Sequence, residues 1–216
     1  MKNHTLKIAA FALTITSLPS HAIAITGTGT TTDHARLANA TVIDFESVGQ
    51  MNTPALSIGG VTFSADGLIE IDSDYAGNYN TRGQYHITNH GNGPNAFRFD
   101  FSTPTDAFAF LWGAADYDWT LQAFGASGLL DSINVTPTNG SNSGNYVGIA
   151  ATGIQYATLT LSDFNDYVFI DNFTYNESQI LFGDGQTASV PEPGTMALLG
   201  MGVVGFAAAR RRRQRA

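Results

Sequence analysis

The 216-residue chain has no cysteine. That excludes disulfide cross-links and thiol chemistry, so its cohesion must come from core packing or from a bound metal. Basic residues are scarce: Lys and Arg total 10 against 18 Asp and Glu, for a net charge of −8. Their placement sharpens the point. Lys2 and Lys7 lie at one end and five arginines lie between positions 210 and 215 at the other. Residues 25–189 therefore keep only Arg36, Arg82 and Arg98 against 17 acids, a net of −14. Such a segment repels phosphate backbones, which excludes direct nucleic-acid binding, and it attracts divalent cations and basic partners. No stretch between 25 and 189 carries a 3.6-residue apolar stripe, which argues against helices there. A Gly-x-Ser-x-Gly elbow is also missing. His86 and His90, four apart on an extended chain, stand roughly 13 Å from each other, too far to share a metal.

The informative features lie at the two ends. The chain opens with Lys2 and Lys7, an apolar run over residues 8–18, and then Ala22-Ile23-Ala24. A basic start, a short apolar stretch and a small-x-small triplet predict a signal peptide over residues 1–24, cleaved after Ala24. The other end reads Val190-Pro191-Glu192-Pro193-Gly194, an uncharged apolar run over 194–209, and then Arg210, Arg211, Arg212, Arg213 and Arg215. The apolar run partitions into lipid as a single-span helix, and the arginines resist crossing and stay on the cytoplasmic side. The two prolines hold the Pro-Glu-Pro stretch extended at the outer membrane face. Sixteen residues at helical rise reach only about 24 Å, short of the roughly 30 Å hydrocarbon core. Glycines at 194, 200, 202 and 205 weaken that helix further, which suits a temporary hold.

In this order of Pro-Glu-Pro, apolar run and arginine cluster, the tail resembles the PEP-CTERM family of bacterial surface and secreted proteins. The resemblance implies an exosortase as partner, a transient stay at the inner membrane, processing near 190–194, and an exported product at the cell surface or in the extracellular matrix. An ordinary tail anchor is the alternative. The predicted organisation is thus a signal peptide at 1–24, a folded domain at 25–176, a linker at 177–189 and a sorting tail at 190–216.

Within the domain, short runs rich in β-branched and aromatic residues alternate with Gly, Asn, Asp and Pro. Strands are predicted at 41–46, 58–65, 68–71, 84–88, 96–101, 106–112, 118–124, 129–135, 146–150, 156–161 and 167–175. Alternation is clearest where Phe97, Phe99 and Phe101 interleave with Arg98 and Asp100, and it resumes at Phe108, Phe110 and Trp112 after a turn at 103–105. Many short strands without helices predict an all-β, two-sheet antiparallel sandwich of jelly-roll type. Residues 139–144 (NGSNSG) read as a flexible loop tip. Two segments strengthen that reading. FAFLWGAADYDWTLQAF (108–124) resembles a stretch common in PEP-CTERM sandwich proteins, and VFIDNFTY (168–175) resembles the last strand of carbohydrate-binding-module-like jelly rolls.

The latter resemblance implies a structural Ca²⁺ held by an acid on the last strand together with residues near the first. Asp171, Asp44 and Glu46 are the candidates, with backbone carbonyls and water completing six to eight oxygens. Acids that merely face solvent or cap turns are the alternative. Asp72, Ser73 and Asp74 lack the spacing of a calcium loop and read as a polar loop. For sugar binding, exposed aromatic rings would stack on sugar faces beside Asp and Asn. Trp112 and Trp119 fall on the predicted core face, which leaves Tyr117, flanked by Asp116 and Asp118, as the candidate ring; a plain hairpin turn explains these residues equally well. With no catalytic constellation beyond acid pairs that an acidic surface supplies by chance, the expectation is a non-enzymatic exported surface or matrix protein. The alternatives are a carbohydrate-binding module acting on exopolysaccharide and, behind it, a secreted hydrolase.

Overall fold

The computed structural model describes residues 22–89, 95–161 and 166–177. Ten antiparallel strands run in chain order: β1 (Ile23–Gly27), β2 (Thr41–Ile43), β3 (Met51–Ile58), β4 (Val61–Asp72), β5 (His86–Thr88), β6 (Ala96–Gly113), β7 (Trp119–Gly125), β8 (Gly128–Val135), β9 (Tyr146–Thr160) and β10 (Phe169–Glu177). Two single-turn 3-10 segments, Thr31–Asp33 and Ala35–Leu37, are the helical elements among the described residues. Among those residues no helix is long and apolar enough to cross a membrane. The predicted signal segment before Ala22, the linker from position 178 and the whole sorting tail, including its predicted span, lie outside the described residues.

β6 and β9 organise the sandwich. They pair with each other along both halves, from Ala96↔Thr160 to Leu111↔Tyr146. The first half of β6 also pairs with β4 (Val61↔Phe101), and its second half pairs with β10 (Ile170↔Trp112). β9 likewise carries β7 on one half (Leu121↔Leu159) and β1 on the other (Ile25↔Gly148). Hydrogen bonding is therefore continuous across one ten-stranded sheet, which folds over on itself. The rings of Phe99 and Phe110 prove the fold: their centroids are 5.6 Å apart, whereas eleven residues of straight strand would span roughly 36 Å.

The corner explains two differences from the predicted strands, and a hairpin turn explains a third. The expected turn at 103–105 is a bend inside β6, where the register shifts between Asp100 and Thr105. Pro104, which has no N–H to give a ladder, sits in that gap. The matching bend in β9 falls at Gly153 (φ +75°), whose N–H donates to Asp106 Oδ1 at 2.9 Å, so 146–150 and 156–161 are two halves of one strand. The predicted strand over 58–65 is instead a hairpin. Gly59 and Gly60, at φ +56° and +81°, form its two-residue turn, and β3 was not predicted because Pro54 and an exposed face mark it as a bulged edge strand.

Phe173 occupies the centre of the core. Its ring lies within 5.0–6.1 Å of Phe63, Phe99, Phe101, Phe108 and Phe110, which belong to both layers. Trp112 and Trp119 are buried beside this cluster, as their alternation predicts, and meet edge-to-face at 5.6 Å. On the opposite face of the second half of β6, Ala107, Ala109 and Leu111 pack with Ile25, Leu37 and Tyr146 in a smaller core. On the outer face of the first half, Arg98 lies 3.7 Å above the Tyr156 ring and pairs with Asp100.

Candidate functional site

The acids predicted to share a cation are brought to one end of the sandwich, though not on the elements expected. The first strand is β1, and β2 stops at Ile43, so Asp44 and Glu46 lie just beyond a strand rather than on it. Between them Phe45 takes φ +61° and turns its ring into the core, which leaves both acids on the outer side. β2 does neighbour the last strand, through Phe173↔Ile43, and Asp171 stands two residues upstream of that pair. Asp44, Glu46, Arg82, Gly83 and Asn172 line a cavity of about 280 Å³.

The three carboxylates differ in how far each is already engaged. Glu46 Oε1 accepts the backbone N–H groups of Gln84 (2.7 Å) and Tyr85 (3.0 Å). It lies directly over Gly83 (φ +62°), where a Cβ would come 2.2 Å from that oxygen. Asp44 Oδ1 accepts the Glu46 N–H at 3.2 Å and is exposed. Asp171 is 1% exposed and accepts the N–H groups of Arg82 and Asn172, each at 2.6 Å. Burial pushes its carboxyl up to about 7; those two N–H groups work against the shift, and the charges of Glu46 and Asp44 add to it. Among the described residues no three His or acid side chains stand close enough to cage a metal by themselves.

The second predicted constellation, Asp116–Tyr117–Asp118, forms the connection between β6 and β7. Its organiser is Asp166, which the sequence did not single out. Buried at 3% exposure, Asp166 accepts the N–H groups of Asp116 (3.0 Å), Tyr117 (3.3 Å) and Tyr167 (2.9 Å). The indole N–H of Trp119 also donates to it, at 2.9 Å. Asn89 completes the arrangement, donating to the Asp166 carbonyl (2.7 Å) and accepting from Val168 N–H (3.0 Å). Tyr117 is thereby held at 44% exposure on a fixed backbone. Gly113, at the end of β6, is required here because a Cβ would fall 1.6 Å from the Tyr79 carbonyl oxygen. No sequence signal marks Asp166, which sits in a polar stretch between two predicted strands.

The stretch over 139–144 is not a free loop tip. Gly144 is buried and its N–H donates to Asn80 Oδ1 at 2.8 Å. Asn142 accepts from Asn80 N–H (3.1 Å) and donates to the Gly77 carbonyl (3.2 Å), so two loops are stapled together. Asp72, expected in a polar loop, is instead the buried last residue of β4, paired with His86, and accepts from Gln50 Nε2 (2.7 Å) and Ser73 N–H (2.6 Å). His90 lies outside the described residues.

Residues 189–213 match the PEP-CTERM protein-sorting motif. The sequence thus carries the address of exosortase-sorted surface proteins, whose precursors are exported and held at the membrane. No curated protein matches the chain. Among solved structures it is similar to a CBM29-2 mutant from work on ligand recognition by family 29 carbohydrate binding modules, at 11% identity over 64% of this chain and 91% of that one (TM-score 0.32). The K2 cleaved adhesin domain of Lys-gingipain aligns at 15% identity over 71% and 99% (TM-score 0.33). TmCBM61, solved with β-1,4-galactotriose, aligns at 13% over 68% and 93% (TM-score 0.33).

Proposed function

We propose that the chain is a non-enzymatic exported protein whose β-sandwich is cargo for its C-terminal sorting tail. The single observation that carries this reading is the sorting motif over 189–213, whose apolar run and arginines hold the precursor at the inner membrane while Pro191-Glu192-Pro193 is presented for cleavage by an exosortase. Release then delivers the sandwich to the cell surface or matrix. Ala22 and Ala24 bound the proposed signal cleavage. Cutting after Ala24 removes two residues of β1 and leaves Ile25, the buried member of that strand, in place. Replacing Pro191, Glu192 and Pro193 by alanine is expected to leave a membrane-bound, full-length C-terminus, read by intact mass in the native host. Normal processing of that variant would refute the assignment.

A second reading is supported by Tyr117. An exposed ring fixed by Asp166 and flanked by Asp116 and Asp118 is a pre-organised surface for exopolysaccharide. Loss of polysaccharide pull-down on Tyr117→Ala tests it. A structural Ca²⁺ at Asp171, with Asp44 or Glu46, is proposed on the strength of a buried carboxyl whose described partners include no Lys or Arg side chain. When bound, the cation would neutralise Asp171 and tie β10 to the segment after β2.

A further inference from the structure

The two most exposed tyrosines repeat one pattern. Tyr75, 53% exposed, follows Asp74 in the connection between β4 and β5. Tyr117, 44% exposed, lies between Asp116 and Asp118 in the connection between β6 and β7. All three flanking aspartates are exposed. Tyr167 joins the two connections. Its backbone N–H and that of Tyr117 donate to the same Asp166 carboxylate, at 2.9 Å and 3.3 Å, and its ring lies 6.2 Å from that of Tyr75. Tyr75 also meets Tyr79 edge-to-face at 5.5 Å and rests 6.0 Å from the buried ring of Phe169. These contacts bring four tyrosines to one end of the sandwich.

The Tyr75 loop is set in advance, like that of Tyr117. Tyr75 takes φ +61°, a left-handed backbone uncommon for so bulky a side chain. Its carbonyl accepts the Asn78 N–H at 2.8 Å and the Thr81 hydroxyl at 3.3 Å, and Asn142 donates to the Gly77 carbonyl, so the loop is tied down around it. Strain of this kind collects where a chain presents side chains for function. Exposed rings offer stacking faces to the apolar side of a sugar, and the surrounding charge decides which sugar. Burial raises the pKa of the Tyr167 phenol against a hydrogen bond with Thr88, and the charges of Asp72 and Asp74 add to the rise, so both carboxylates act on the ring that joins the two connections. The arginines of residues 25–189 are engaged elsewhere. Arg98 lies over Tyr156, Arg82 lines the cavity with Asp44 and Glu46, and Arg36 lies between β1 and β2. An end that gathers tyrosines and aspartates repels uronates and sulfated sugars, and it attracts a cation through both the carboxylates and the ring faces.

We propose that this end of the sandwich binds a polysaccharide carrying free amino groups, with Tyr75 and Tyr117 stacking on its sugar rings and Asp74, Asp116 and Asp118 pairing with its ammonium groups. The inference rests on the Tyr117 reading above and adds to it a second ring and the charge of the sugar. The test titrates the full-length protein with glucosamine oligomers, their N-acetylated and glucose counterparts, galacturonate oligomers and oligolysine, at a pH below the pKa of the sugar amine, and reads binding by calorimetry. Expected is saturable binding of glucosamine oligomers about tenfold tighter than of the N-acetylated or glucose oligomers, as two exposed ion pairs would give. That binding should weaken with added salt, and galacturonate and oligolysine should not saturate. Tyr75→Gly, which suits φ +61° and so spares the loop, and Tyr117→Ala should each weaken it about tenfold, whereas Tyr75→Phe should keep it. Asp74→Asn should weaken glucosamine binding about threefold and leave the N-acetylated oligomer unchanged. If Tyr75→Gly binds like the parent while Tyr117→Ala does not, or if the neutral oligomers bind as tightly as glucosamine, this inference falls and the Tyr117 reading stands. If no oligosaccharide saturates, both fall. Oligolysine bound as tightly as glucosamine would mark a merely acidic surface and overturn the proposal.

Discussion

The indole N–H of Trp119 and the carboxylate of Asp166 meet at 2.9 Å, across 47 residues of sequence. That one carboxylate also receives three backbone N–H groups, so a core side chain, the β6–β7 connection and the entry to β10 share a single buried acceptor. Asp166→Ala is expected to destabilise the fold by about 3 kcal/mol, since four donors lose their partner at once. Trp119→Phe, which removes one donor and some ring area, should cost less. Chemical denaturation of both variants settles the order.

Phe173 contacts rings from both layers, and its loss opens a cavity that neither layer can close alone. Phe173→Ala should cost about 3–5 kcal/mol and Phe173→Leu much less, measured by thermal or urea unfolding. An equal, small effect for both would show that the core is looser than the ring distances imply.

His86 and Asp171 make opposite contributions to stability between pH 4 and 7. His86 is fully buried with neither ring nitrogen partnered, and burial lowers its pKa to about 4, with Asp72, Asp74 and Glu46 opposing the shift. The unfolded chain takes the proton first, so stability is lost as pH falls from about 6.5 towards 4, by about 3 kcal/mol. Asp171, raised to about 7 chiefly by burial, takes its proton first in the folded state, so its contribution is lost as pH rises through that window. In the presence of chelator the wild type should therefore show a shallow dependence. His86→Phe, which keeps the ring contact with Phe169 at 4.5 Å and removes two orphan nitrogens, should unmask stability that declines from pH 4 to 7. A profile identical to wild type would contradict the assignment.

Calcium removal gives a separate test. With free Ca²⁺ at a hundred times its Kd the folded state should gain roughly 2.7 kcal/mol, seen as a higher melting temperature that EDTA reverses. Asp171→Asn should abolish the calcium-dependent part of the melting temperature. An unchanged melt with EDTA in the wild-type protein would exclude a structural cation.

The class of fold was legible because alternation at Phe97–Phe101 and Phe108–Trp112 is a local property. The corner in β6 was not, since a bent strand and a hairpin place the same residues in the same alternation; only the pairing of both halves with β9 separates them. The Gly59-Gly60 turn was present as a signal and went unread because Ile58 and Val61 looked like one run. Asp44, Glu46 and Asp171 were picked from a family resemblance together with strand adjacency; Asp44 and Glu46 line one cavity while Asp171 is buried next to its wall residue Asn172, and the positive φ of Phe45 that puts the two neighbouring acids outside has no sequence mark. Asp166 was invisible for a stronger reason. Its significance is a matter of which donors its carboxylate meets in three dimensions.

Because β6 and β9 each run through both layers, neither layer has a boundary at which it could detach. Heating or denaturant should therefore melt the described strands in one concerted step, and the exported cargo would be either wholly resistant to extracellular proteases or wholly digested, with no half-trimmed survivor.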